Sequence, residues 1–144
     1  MRKEVTSYII LVSVAFIMHF VWEWLHIPLY TGYGDLGSGA VLTLYATLGD
    51  VAYTAGAVLL VGLFKGKLSW LPEARVADYA GLTVLGFCIA IFVEYKALAF
   101  HKWAYTAAMP LVLGVGLSPL LQMAILLPVS VGITKGAMRR LAVY

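Results

Sequence analysis

His19, Glu23 and His26 follow one another at i, i+4 and i+7. At 3.6 residues per turn they share one narrow helix face, which Tyr30 extends. Imidazole beside carboxylate can move protons near neutral pH or ligate a metal ion. Asp50 lies in a stripe with Thr43, Thr47 and Thr54, with Tyr53 alongside, and Glu94 precedes His101 by seven residues. Gly114, Ser118 and Gln122 form a small and polar seam at i, i+4 and i+8. Glu23 and His26 also have the Glu-x-x-His spacing of di-iron helix bundles. A second such pair is missing.

These groups interrupt runs that are otherwise apolar. The chain is 62% hydrophobic and 12% charged over 144 residues, against about a quarter charged in a soluble domain. About 20 apolar residues cross a bilayer, and four such spans can be drawn, roughly 7–30, 39–64, 77–100 and 108–134. The expected fold is an all-α integral membrane four-helix bundle, with residues 1–144 forming a single transmembrane domain. Gly, Pro and charge mark the connections TGYGDLGSG, KGKLSWLPEARV and HKWAYTA. Arg2 and Lys3 resemble the start of a signal peptide. The apolar stretch behind them is too long and lacks a small-residue cleavage site, so it reads as a retained helix.

Arg2, Lys3, Lys65, Lys67, Arg75, Lys135, Arg139 and Arg140 fall on one side of these spans, and Lys96 and Lys102 on the other. That bias predicts cytoplasmic N and C termini. Tyr30, Tyr33, Trp70, Trp103 and Tyr105 lie near span ends, as interfacial aromatics do, and Trp22 and Trp24 are expected to face lipid or to pack at the interface. The single Cys88 is expected to pack in its apolar run. No basic stripe with interleaved aromatics and no phosphate-cradling glycine motif points to nucleic acid or nucleotides.

A charged group at the bilayer centre costs at least about 2.5–3.5 kcal/mol on insertion scales, so the polar stripes should turn inward. At 1.5 Å per residue Glu23 and Glu94 lie about 10 Å below the outer helix ends, and His19 and Asp50 about 16 Å. The depths agree, which predicts a polar pocket in the outward half. No Arg or Lys lies in the middle of a span to balance three carboxylates. Protons, histidinium, or a bound divalent metal at His19, Glu23, His26, Asp50 and Glu94 could do so; no cofactor is required by the sequence. Packing offers simpler roles: an interhelical clamp for the histidine–Glu23 face, a hydrogen bond for Asp50, an interfacial place for His101, and helix-packing contacts for Ser118 and Gln122.

The segments EYKALAFHKWAYTAAMPLVLGVGLSPLLQ, WEWLHIPLYTGYG and TLGDVAYT resemble small four-span bacterial membrane proteins of uncharacterised function. That resemblance covers most of the chain and implies a compact unit in a bacterial cytoplasmic membrane. The His19-x3-Glu23 pair followed by Trp24, and Gly49-Asp50-Val51 with Tyr53, are similar to two short patches of the EXPERA group, which includes sterol isomerases. This second resemblance implies that Glu23 and His19 belong to a proton-transfer site for a lipophilic substrate.

The leading expectation is an intramembrane isomerase, hydratase or cyclase acting on an isoprenoid- or sterol-like molecule, with Glu23, His19, Asp50 and Glu94 catalytic. His26, Tyr30, Tyr53, Ser118 and Gln122 would line its pocket. Three alternatives stay open: a proton, metal-ion or organic-cation transporter acting as a homo-oligomer, a metal-binding protein, and an accessory subunit of a membrane complex.

Overall fold

The structure, a computed structural model, describes residues 2–31 and 39–141. Four long helices dominate it: α1 (Arg2–His26), α2 (Gly39–Phe64), α3 (Val76–Ala99) and α4 (Leu117–Leu141). Each is long and apolar enough to cross a membrane. Short 3-10 turns occupy Ile27–Leu29 and Leu71–Glu73. Most of the first connection, with Tyr33, lies outside the described residues.

Two short antiparallel ribbons cap one end, called here the ribbon end. Strand β1 (Tyr30–Thr31) pairs with β2 (Ala104–Tyr105), setting Tyr30 opposite Tyr105. Strand β3 (Leu111–Val112) pairs with β4 (Val115–Gly116). This second hairpin corrects the expected fourth span: the helix begins at Leu117, not near Ala108. Pro110 has no N–H to give a helix. Leu113 and Gly114, with φ of 52° and 80°, make the two-residue turn that suits a tight hairpin. Tyr95 donates its hydroxyl to the Leu113 carbonyl at 2.8 Å. Gly114 therefore belongs to a turn and not to the helical seam with Ser118 and Gln122.

The opposite end, the strap end, is closed by the α2–α3 connection. Trp70 is buried and donates its indole N–H to the Val58 carbonyl at 3.2 Å. It is thus a core residue, not the interfacial aromatic its position suggested. Leu11, Val58, Leu71, Leu82, Leu127 and Val131 complete an apolar core there. Charged groups at this end pair at the surface: Lys65 with Asp78 at 2.7 Å and Lys67 with Glu73 at 2.6 Å. The Lys67 hydrogen bond and charge hold the Glu73 carboxyl below its ordinary range.

Helices α2 and α3 stop in the same way. Lys67 N–H reaches the Gly62 carbonyl and Gly66 N–H the Leu63 carbonyl, both at 3.0 Å. Lys102 N–H reaches Ala97 at 2.9 Å and His101 N–H reaches Leu98 at 3.1 Å. Both sets are the paired bonds of a Schellman cap, which needs a left-handed residue at the turn. Gly66 supplies it at φ 63°, and His101 at φ 51°. His101 thus reverses the chain after α3 from an exposed position.

Around the bundle, α1 packs on α2 and α4, and α3 packs mainly on α4. Gly86 of α3 lies against the Met123 carbonyl of α4, where a Cβ would collide. Small residues at such crossings let helix backbones approach. Helices α2 and α3 touch far less, and a cleft separates them. Large apolar side chains including Ile9, Ile17, Leu63, Val84 and Phe92 point outward and are more than half exposed. Trp24 is among the outward-facing residues, while Trp22 is half-buried and Cys88 is exposed, not packed inside.

Candidate functional site

The cleft between α2 and α3 has a volume of about 600 Å³. Its lining along α2 runs from Leu42 to Tyr53, a length of ~16 Å at the helical rise. Glu23, Asp50 and Glu94 all line it, as do His26, Tyr30, Tyr53 and Gln122. Apolar or aromatic side chains form much of the wall, among them Leu48, Tyr45, Ile89, Val93 and Phe100.

The floor is organised by Gln122. Its amide nitrogen donates to Glu23 Oε1 at 2.8 Å and to Asp50 Oδ2 at 2.7 Å, and stands 3.1 Å from His19 Nδ1. An amide has two N–H groups, and the two carboxyl oxygens are its nearest partners. His19, fully buried, has its Nδ1 3.4 Å from Asp50 Oδ2 and its Nε2 3.2 Å from Thr54 Oγ1. Three helices thus converge on one amide: α1 brings His19 and Glu23, α2 brings Asp50 and Thr54, and α4 brings Gln122.

A second chain leads away from Glu23. His26 Nε2 is 3.0 Å from Glu23 Oε2, and His26 Nδ1 is 2.8 Å from Ser118 Oγ. Trp22 donates its indole N–H to the same hydroxyl oxygen at 3.3 Å. With the Ser118 hydroxyl donating to Nδ1, the proton of neutral His26 sits on Nε2 and faces the carboxylate. The order Ser–His–Glu has the connectivity of a hydrolase triad. Ser118 stands behind the wall of the cleft, however, and its oxygen already receives the Trp22 N–H. It orients His26 instead of facing a ligand. His19 also stands behind the wall.

Glu94 is held separately. Tyr105 donates its hydroxyl to Glu94 Oε2 at 2.5 Å, Trp103 its indole N–H to the same oxygen at 3.2 Å, and Tyr30 its hydroxyl to Oε1 at 3.5 Å. The three rings pack on one another, Tyr30 lying 6.0 Å from Trp103 and 5.5 Å from Tyr105 between centroids. Burial, and then the Glu94 carboxylate, push the Tyr105 phenol well above its ordinary range. The His26 ring meets Tyr30 edge-on at 5.2 Å and connects this aromatic clamp to the floor.

Spacing put His19, Glu23 and His26 on one face, and the second resemblance paired His19 with Glu23. The structure places both on the buried face, but His19 contacts Asp50, Thr54 and Gln122, and the histidine on Glu23 is His26. Thr43 and Thr47 are buried yet return their hydroxyls to their own helix, to the Gly39 and Thr43 carbonyls. Trp103 and Tyr105, expected near an interface, also hold Glu94. Their signal is the Trp-x-Tyr run just after α3, legible only once the His101 turn folds it back.

The five residues considered for a metal do not fit one. Among the described residues no group of three His, Cys, Asp or Glu side chains converges as a ligand set. The Gln122 amide nitrogen, a donor, stands where Glu23, Asp50 and His19 come closest. Among the described residues no buried side-chain nitrogen or oxygen lacks a hydrogen-bond partner. In comparisons with known proteins, the chain matches no family model, no curated protein and no solved structure.

Proposed function

We propose that this protein is an integral membrane helix bundle that carries out acid–base chemistry on a lipophilic, isoprenoid- or sterol-like molecule in the α2–α3 cleft. The observation that carries this reading is the placement of three carboxyls on one apolar-walled cleft between the two least-packed helices. A lipophile in the surrounding bilayer can enter such a cleft sideways. The excess of Lys and Arg at the strap end supports cytoplasmic termini, which puts the cleft in the outward half.

The chemistry is proton transfer to and from carbon. An alkene takes a proton from a carboxyl: its π pair forms the new C–H bond, and the O–H pair stays on oxygen. A neighbouring C–H then gives its proton to a carboxylate, and the C–H pair closes a shifted double bond. One acid and one base are consumed and regenerated, so no co-reactant is needed. Glu23, oriented by His26 and Gln122, gives or takes the proton. Asp50 and Glu94 face the carbocation between the two steps, where fixed negative charge is most effective in a water-poor site. A transport reading gains less support: beyond Thr54 the bundle continues mainly as apolar core through Val58, Leu11, Leu127 and Val131, and the buried hydroxyls of Ser7 and Thr134 there bond back to their own helices.

The test uses purified protein in lipid nanodiscs, a polyprenol and heavy water, with mass spectrometry of the recovered lipid. Deuterium should enter carbon-bound positions with the wild type, and Glu23→Gln should abolish this while the thermal midpoint holds. An unlabelled lipid with the folded wild type, or labelling that survives Glu23→Gln, rejects the reading.

A further inference from the structure

Lys65, Lys67 and Lys135 at the strap end each hold an acceptor: Asp78, Glu73 and the Ala74 carbonyl. Two other lysines behave differently. Lys96, near the end of α3, and Lys102, just past the His101 turn, both line the mouth of the cleft and are exposed. Among the described residues neither side-chain ammonium makes an ion pair or hydrogen bond. Glu94, two residues from Lys96, is already occupied by Tyr105, Trp103 and Tyr30. The cleft thus has an apolar wall, a polar floor and two uncommitted cations at one end of its length.

We propose that the occupant of the cleft is a phosphate-headed prenyl amphiphile, its head held by Lys96 and Lys102 and its tail lying between α2 and α3 toward Asp50. This rests on the reading of the cleft as a lipophile site and adds the class of head group. Two ammonium groups on one head suit a phosphate monoester, which carries more than one negative charge and several acceptor oxygens. The apolar wall suits a linear, methyl-branched run of isoprene units and gives nothing to a free phosphate ion. With the head at the mouth, the double bonds of the tail come to the carboxyls on the floor, and the head group fixes which bond stops there.

The experiment compares farnesyl phosphate, farnesol and inorganic phosphate as ligands of the full chain in phosphatidylcholine nanodiscs, followed by tryptophan fluorescence against empty discs. Farnesyl phosphate should bind roughly tenfold tighter than farnesol, the size two solvent-exposed charge pairs supply. Added salt should narrow the gap. Lys96→Gln with Lys102→Gln should erase it through loss of farnesyl phosphate affinity, and inorganic phosphate should not compete. Equal binding of phosphate and alcohol, or a preference that survives both substitutions, overturns the head-group assignment and leaves the lipophile site standing. Competition by inorganic phosphate overturns the amphiphile as the occupant. Failure of both prenyl ligands overturns this proposal and the reading of the cleft beneath it.

Discussion

The strap end and the ribbon end of this bundle treat charge in opposite ways. At the strap end acidic groups meet lysines at the surface, Lys65 with Asp78 and Lys67 with Glu73, and the interior is mainly apolar, with the hydroxyls of Ser7, Ser130 and Thr134 buried in it. At the ribbon end the carboxyls of Glu23 and Glu94 are buried, Asp50 is nearly so, and none has Lys or Arg as its direct partner. Their donors are an amide, an imidazole, two phenols and an indole. A cation would commit a carboxyl to its charged form. The donors at the ribbon end hold each carboxyl in place with no lysine or arginine beside it. The first arrangement closes charge against charge at the surface, and the second sets carboxyls along an apolar-walled cleft.

That contrast can be broken most severely at Gly86. Gly86→Leu would drive a side chain into the Met123 backbone, and overpacking of this kind costs about 3 kcal/mol. Thermal unfolding in detergent should show a large loss, and prenyl binding should fall with the folded fraction, not ahead of it. A fully stable Gly86→Leu protein would mean that the α3–α4 contact is not what holds the bundle.

Gln122→Leu sharpens the comparison from the other side. It removes the donor shared by Glu23 and Asp50 and leaves each with its histidine contact, at a cost of about 1–3 kcal/mol. Deuterium exchange into the lipid should fall far more than the folded fraction does. Equal losses in both would make Gln122 a packing residue only.

Tyr105→Phe should have the smallest effect, about 0.5–1.5 kcal/mol for one lost hydrogen bond, and it carries a pH signature. The phenol titrates higher folded than unfolded, so its contribution is fully present below pH about 10 and is lost as pH rises toward the folded value. Wild type should therefore lose stability more steeply than Tyr105→Phe above pH about 10. Parallel alkaline profiles for the two proteins would remove Tyr105 from the clamp on Glu94.

The four helices were legible because apolar runs long enough to span a bilayer leave few other choices. The face shared by His19, Glu23 and His26 followed from helical phase. Which histidine meets which acid did not, because that depends on how α2 and α4 approach α1. Residues 108–116 read as part of a helix on apolarity alone, while Pro110 and the Leu113–Gly114 turn decided for a hairpin. The hub at Gln122 was the hardest to see: a lone glutamine in an apolar helix is indistinguishable from packing until three helices bring their polar groups to it.

The β1–β2 ribbon has a mechanical consequence. It ties the exit of α1 to the segment between α3 and α4, and Gly86 locks α3 onto α4, so three helices form one frame. Helix α2 has no strand in the ribbon and little contact with α3. Its firm attachments lie along α1 and at the strap, where Trp70 grips the Val58 carbonyl. Moving α2 away from α3 would therefore leave the ribbon and the α3–α4 contact intact, and what resists it is the packing of α2 on α1 and the Asp50–Gln122 hydrogen bond.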